Sequence, residues 1–272
     1  MVQASQYDDF PTATTAETID EFVNRSARTA RGVPLRISFL QTLSKDRIAT
    51  PGPMAEFVSA GDQRALILYL LVLTKASSTP WNVHLPSPVW ARLLGLDLPL
   101  SKSAMSTVSK TWLRLERRRL IQRNRFGRMA DITVLSEDGS GAAYESPGNV
   151  GDRYLRLPLS LWTNGPADDR RWYLELTLPE LAVLLIALSL GDEFRLPAED
   201  AFSWYGISAD TASRGLKGLR ERGLLEVKKM YKKAPLSAVG YTAEHRYTLQ
   251  TPFGPIGKKS ASAPSRRGAA IR

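Results

Sequence analysis

The side chains best suited to chemistry lie between Ser101 and Ala130, where lysines and arginines alternate with small hydroxyl side chains. This stretch holds nine cations and one anion, Glu116, so its local charge is +8, against +10 for the whole chain. Lysine and arginine bind phosphate or guanine, and serine and threonine hydroxyls hydrogen-bond base edges. The composition therefore predicts a surface that lies in a DNA groove.

Residue patterns that would indicate catalysis are missing from the sequence. The chain has no cysteine, and its two histidines, His84 and His245, have no partner at metal-ligand spacing. There is no phosphate-binding glycine loop, no nucleophile elbow and no spaced pair of carboxylates. We therefore expect a protein that is not an enzyme, with no cofactor, no metal and no evident small-molecule ligand.

Charge and hydrophobicity favour a polyanionic partner and no membrane. The net charge of +10 and the isoelectric point near 9.9 favour nucleic acid or an anionic surface. The two longest apolar runs, 65–73 and 181–190, are much shorter than the roughly 20 residues that span a bilayer. The N-terminus is polar and acidic, unlike a secretory signal. We expect a cytoplasmic, nucleoid-associated protein.

A helix followed by a hairpin must position the basic side chains. Met105, Val108, Trp112 and Leu115 recur at spacings of three and four, so they share one helix face. The opposite face carries hydroxyls and cations. Segments 120–124 and 129–135 are then predicted to form two strands joined by a Phe-Gly-Arg turn. A buried helix ending at 75 and a short helix over 87–94 precede this unit.

The same order of elements recurs in the second half of the chain. Segments 179–190, 197–205 and 209–222 are predicted helices, and 224–231 and 243–250 are predicted strands. The halves can be aligned so that Gly95 matches Gly206, Leu115 matches Leu219, and Arg118 matches Arg222. This correspondence predicts an internal repeat, although two amphipathic helices can also be similar by chance.

Composition divides the chain into five segments. Residues 1–33 begin with an acidic arm that we expect to be disordered at first, with a short helix around 18–29 as an option, and 34–136 form the first unit. Residues 137–152 are rich in Gly, Ser, Asn and Asp and are predicted to be a linker. Residues 153–251 form the second unit, and 252–272 are a basic tail expected to be disordered. The predicted fold is mainly α with small β-hairpins, an α+β arrangement.

The chain resembles the winged helix-turn-helix superfamily. Its strongest cue is the sequence LRERGLLE from Leu219 to Glu226, in which Gly223 ends a helix and an apolar pair begins a strand. The first copy has Arg119 in place of that glycine. The resemblance covers most of the chain and implies two winged-helix domains in tandem. Many bacterial regulators and plasmid replication initiators have such domains.

The resemblance also implies how DNA would be bound, with the third helix in the major groove and the wing on the backbone or in the minor groove. In the first copy it assigns to DNA binding the helix residues Lys102, Ser103, Ser106, Thr107, Lys110, Arg114 and Arg117 and the wing residues Arg123, Arg125 and Arg128. In the second copy it assigns Thr211, Arg214 and Lys217 on the helix, with Asp210 beside them, and Lys228, Lys229, Lys232 and Lys233 on the wing.

We therefore expect a double-stranded DNA-binding protein, and transcriptional regulation as its role. Replication initiation on a plasmid or phage, or another DNA-maintenance role at origin repeats, is the alternative. A third reading is a winged-helix module that binds other proteins. The first copy is the more basic and is expected to dominate DNA affinity. Whether the chain forms a homodimer stays open.

Overall fold

The computed structural model describes residues 12–28, 32–43, 46, 48–96, 100–126, 129–148, 152–163 and 170–254. Of these described residues, 42% are helical and 22% lie in strands, and the strands form small antiparallel sheets. The fold is therefore mixed α+β, with more strand than the mainly helical sequence prediction. No described helix has the length and apolar character needed to cross a lipid bilayer.

The order of elements in the first half follows the sequence prediction, with additions. Its elements are α1 (Thr15–Asn24), β1 (Val33–Arg36), β2 (Gln41–Leu43), β3 (Ala49–Pro51), α2 (Met54–Ser59), α3 (Gln63–Lys75), β4 (Asn82–Leu85), α4 (Ser87–Leu93), α5 (Lys102–Arg117), β5 (Ile121–Phe126) and β6 (Met129–Val134). The sequence patterns did not identify β4, which pairs antiparallel with β6. Helix α4 begins at Ser87, and Pro86 occupies its cap position.

The second half repeats this order in a shorter form. Its elements are β7 (Tyr154–Leu157), α6 (Trp172–Glu175), α7 (Leu178–Leu190), α8 (Ala201–Tyr205), α9 (Ala209–Glu221), β8 (Leu225–Lys233) and β9 (Tyr241–Leu249). Helices α3 and α7 are apolar on nearly every side and lie buried at the centre of their halves. At the place equivalent to β4, the second half has one isolated bridge, between Phe194 and Tyr247.

Strands β1 and β7 join the two halves in one antiparallel pair. Val33 pairs with Leu157 and Leu35 pairs with Leu155. A short 3-10 turn follows each strand, over Ile37–Phe39 and Leu159–Leu161. Counted back from these turns, Val33 is equivalent to Leu155 and Leu35 to Leu157, so replacing each residue by its equivalent exchanges the pair Val33–Leu157 with the pair Leu35–Leu155. This register gives the two strands an approximate two-fold relation.

Two turns make reciprocal contacts between the halves. Gly206 ends α8 in the left-handed region (φ 66°), where a Cβ would lie 2.5 Å from Cβ of Ala55 in the first half. Gly95 follows α4 at φ 62°, and a Cβ there would lie 3.1 Å from Leu174 in the second half. Among the described residues the buried apolar side chains of both halves form one continuous cluster.

The N-terminal arm is helical over residues 15–24, so its helix begins earlier than the short helix considered around 18–29. Residues 15–24 form α1, whose capping box joins Thr14 and Glu17, and Ile19 and Phe22 are buried against the body. Helix α1 contacts α3 and α4, and Asp20 pairs with Arg171 of the second half at 3.0 Å. The arm is folded here because its apolar residues recur at helical spacing and find a surface to cover. Residues 1–11, which were predicted to be disordered, lie outside the described residues.

The predicted linker contains residues that pack into the body. Glu137 has no exposed side-chain surface and pairs with Arg36 of β1 at 2.7 Å. Tyr144 is also buried, and its ring lies 5.8 Å from the Arg36 guanidinium. Burial raises the pKa of Glu137, and the Arg36 guanidinium opposes this shift. The segment is thus held against β1 by a largely buried ion pair.

Candidate nucleic-acid interface

Helix α5 is held in place by the apolar face that its sequence predicts. The Ser101 hydroxyl accepts a hydrogen bond from the Ala104 N–H at 3.1 Å and so caps the helix. Val108, Trp112 and Leu115 are buried, and Trp112 meets Trp90 of α4 edge to face, with ring centroids 5.1 Å apart. These contacts determine the direction in which the opposite face points.

The opposite face of α5 is exposed and cationic. It carries the side chains of Lys102, Ser103, Ser106, Ser109, Lys110 and Arg117. Within the part of the chain that the structure describes, its three cations form no ion pair. Thr107, predicted with this group, is half-buried, and its hydroxyl donates to the Ser103 carbonyl at 3.0 Å. The structure thus brings together five of the seven helix residues predicted for the first copy.

Arg114 was predicted to face DNA, but its side chain turns toward the body and contacts Asp62. Its Nε donates to Oδ2 of Asp62 at 2.7 Å, and the Arg118 guanidinium donates to the same oxygen at 3.0 Å. Asp62 caps α3, so the two arginines connect the end of the basic helix to the beginning of the buried one. Arg114 is a structural contact in this arrangement, and we correct its assignment to a free DNA-facing cation.

The hairpin after α5 is short, and part of its positive charge is neutralised by carboxylates. Arg123 of β5 pairs with Glu116 of α5 at 3.0 Å. Asp131 of β6 accepts from Asn82 at 3.1 Å and lies 3.3 Å from His84. Arg128 and the side chain of Arg125, both predicted to bind DNA, lie outside the described residues.

Helix α9 has the same cap as α5 and a less cationic surface. Ser208 caps it, accepting from the Thr211 N–H at 3.1 Å, and the Thr211 side chain is buried beside this cap. Thr211 is thus a capping neighbour and not an outward-facing side chain, which corrects its predicted place. Arg214 pairs with Asp210 at 2.9 Å, and Lys217 lies 3.8 Å from Glu221.

Two glycines let α9 approach α7 closely. A Cβ on Gly215 would lie 2.4 Å from the Pro179 carbonyl oxygen, and one on Gly218 would lie 2.1 Å from the Glu180 carboxylate. That carboxylate also accepts from Arg222 at 3.0 Å. The sequence prediction overlooked these glycines, although their spacing of three inside a helix was the available signal. They fix the orientation of α9.

The β8–β9 hairpin is a ribbon that extends from the body. Its nine pairs run from Leu225–Leu249 to Lys233–Tyr241, a length of about 27 Å at the usual rise per residue. From residue 228 onward the side chains of β8 are exposed. Four predicted DNA-binding residues lie here, namely Lys228, Lys229, Lys232 and Lys233.

The two faces of this ribbon differ in charge. On one face Glu244 pairs with Lys232 at 2.7 Å and with Arg195 at 3.0 Å, and Lys232 is the main reason that its pKa is lowered. On the other face Lys229 and Lys233 alternate with Tyr231, and Lys229 lies over the Tyr231 ring at 5.3 Å. No described carboxylate pairs with these two lysines. On this face, positive charge that no described carboxylate neutralises therefore lies beside aromatic surface.

Comparison with models of known protein families, with curated proteins and with solved structures found no match.

Proposed function

We propose that the protein binds double-stranded DNA through two winged-helix units, with α5 and α9 as the helices that enter the major groove. In this proposal the hairpins after each helix are the wings. A helix about 10–12 Å across fits a major groove roughly 12 Å wide. The recurrence of three helices and a hairpin in both halves supports the assignment of two units.

The uncompensated cations on the exposed face of α5 carry the proposal. Lys102, Lys110 and Arg117 stand among serine hydroxyls on a face that neither the body nor α1 covers. A solvated helix face in a folded protein usually mixes both charges, as α9 does with Asp210 and Glu221. The polar side chains on this face of α5 are all cations and hydroxyls, with Leu113 exposed among them, and such side chains are suited to phosphates and base edges.

The approximate two-fold relation of β1 and β7 favours one kind of DNA site. Two major-groove helices that are related by a two-fold axis contact half-sites of opposite orientation. Such half-sites lie about one helical turn apart. We therefore propose that one chain covers an inverted repeat, with the stronger contacts at the half-site read by α5.

Selection of bound sequences from a random duplex library tests this function. We expect an enriched inverted repeat that the protein binds as one chain per site, with an affinity that falls steeply as salt rises. An affinity that does not change with salt, or equal binding to all sequences of the pool, would refute the proposal. Single-stranded DNA and duplex RNA of matched length serve as controls.

We propose transcriptional regulation as the biological role. Its test is the location of the selected sequence in the genome that encodes the protein. Single copies at promoters support regulation, whereas iterated copies beside one origin support replication initiation instead. Binding to a protein partner that persists at high salt, without DNA binding, would favour the interaction module.

A further inference from the structure

The tip of the β8–β9 ribbon carries apolar side chains that nothing in the described structure covers. Leu236 is 103% exposed and Val239 is 65% exposed. Both lie in the loop 234–240 between two strands of lysine and tyrosine. Full exposure of a leucine is unfavourable in water and contributes nothing to this fold, so the tip is suited to a partner that buries it.

The loop holds these side chains in a defined shape. The Ala234 N–H donates to the Gly240 carbonyl at 2.9 Å, and the Gly240 N–H donates to the Ser237 carbonyl at 3.0 Å. The Ser237 hydroxyl closes the base of the loop by donating to the Tyr241 carbonyl at 3.0 Å. Leu236 therefore stands at the apex of a turn that these hydrogen bonds close.

The ribbon is long enough to leave the major groove. Its exposed part, 228–233, spans about 17 Å, which exceeds the roughly 12 Å width of that groove. A ribbon that starts beside a reading helix thus crosses the flanking backbone and reaches the neighbouring minor groove. The hairpin after α5 has six residues per strand against nine in this ribbon, so we assign this reach to the second half alone.

We propose that the ribbon is a DNA-bending arm whose tip wedges Leu236 between base pairs in the minor groove. Its four lysines hold the arm against phosphate while the apolar apex unstacks one step. Apolar side chains inserted in this way kink a duplex by roughly 20–90°. The inference rests on the proposed DNA binding and adds to it an architectural activity confined to one arm.

Energy transfer between dyes at the two ends of the selected duplex tests the arm, with anisotropy of the same duplex reporting affinity. We expect the wild-type protein to shorten the end-to-end distance and Leu236→Ser to abolish at least half of that change. Leu236→Met should retain the bend, because it keeps an apolar wedge. Leu43→Ser, at an apolar side chain 50% exposed outside the ribbon, is the matched control and should bend DNA like the wild type.

The two readouts separate failure of the arm from failure of DNA binding. Wild-type binding without bending, or equal bending by Leu236→Ser, overturns the wedge and leaves DNA binding intact. Absence of wild-type binding overturns both. If sedimentation shows that the wild type forms a dimer and Leu236→Ser does not, the tip is a contact between two copies, and the DNA wedge is wrong.

Discussion

Removing the three uncompensated cations of α5 should weaken the salt dependence of DNA binding by a calculable amount. The variant Lys102→Ala/Lys110→Ala/Arg117→Ala deletes charges that form no ion pair among the described residues. Each cation that neutralises a phosphate contributes about −0.9 to the slope of log affinity against log salt. Three such contacts contribute roughly −2.7, so the slope of the variant should be shallower by that amount.

The predicted difference is large enough to measure directly. Between about 50 and 200 mM salt, a slope difference of roughly 2.7 makes the wild-type affinity fall about 40-fold more than that of the variant. Fluorescence anisotropy of the selected duplex, titrated at four or more salt concentrations, gives both slopes. Because these side chains are exposed and unpaired, the thermal stability of the variant should stay within a degree or two of the wild type.

Arg114→Ala is the matched control on the same helix. It also deletes one positive charge, but this one pairs with Asp62 at 2.7 Å. We expect a slope change near zero and a loss of stability of roughly 1–2 kcal/mol, less than for a fully buried pair because Arg114 is about a third exposed and Arg118 still holds Asp62. This corresponds to a melting temperature lower by roughly 2–8 °C.

Two results would refute the reasoning. If the triple variant keeps the wild-type slope, the exposed face of α5 does not contact phosphate. If Arg114→Ala changes the slope as much as each cation of the triple variant does, the ion pair with Asp62 does not divert that side chain from DNA, and our division of the helix into two kinds of cation is wrong.

Three further perturbations test separate parts of the structure. Gly215→Ala places a methyl group 2.4 Å from the Pro179 carbonyl and should cost about 1–3 kcal/mol in a denaturant titration; an unchanged midpoint would show that α9 moves freely. Glu137→Ala leaves the Arg36 guanidinium without its buried partner and should lower stability by about 3–5 kcal/mol, whereas a neutral effect would mean that the segment 137–152 does not hold the body. Glu244→Gln removes the carboxylate that compensates the ribbon cations and should steepen the salt slope by up to about 0.9; a weaker affinity would show that this carboxylate positions the cations for binding.

Periodicity was sufficient to predict the local structure around α5. The spacing of Val108, Trp112 and Leu115 identified the buried face. The exposed positions of Ser103, Ser106 and Lys110 followed from the same geometry, because residues three and four apart on a helix share a face.

Long-range contacts could not be predicted from these patterns. The partner of Arg114 is 52 residues away, and no local spacing connects it to Asp62. The pairing of β1 with β7 likewise depends on how the halves meet. A signal for the start of α1 was present, since Thr14 and Glu17 have the spacing of a capping box and Ile19, Phe22 and Val23 follow it, but the helix considered from the sequence began three residues later, at 18.

Covalent labelling of lysines, with and without the selected duplex, tests the central claim most directly. The account predicts that Lys102, Lys110 and the four ribbon lysines lose reactivity when DNA is bound. Lys75, which donates to the Arg25 carbonyl at the far end of α3, should keep its reactivity. Unchanged reactivity on α5 and on the ribbon in a complex shown to contain DNA would contradict the assignment of this surface to DNA binding.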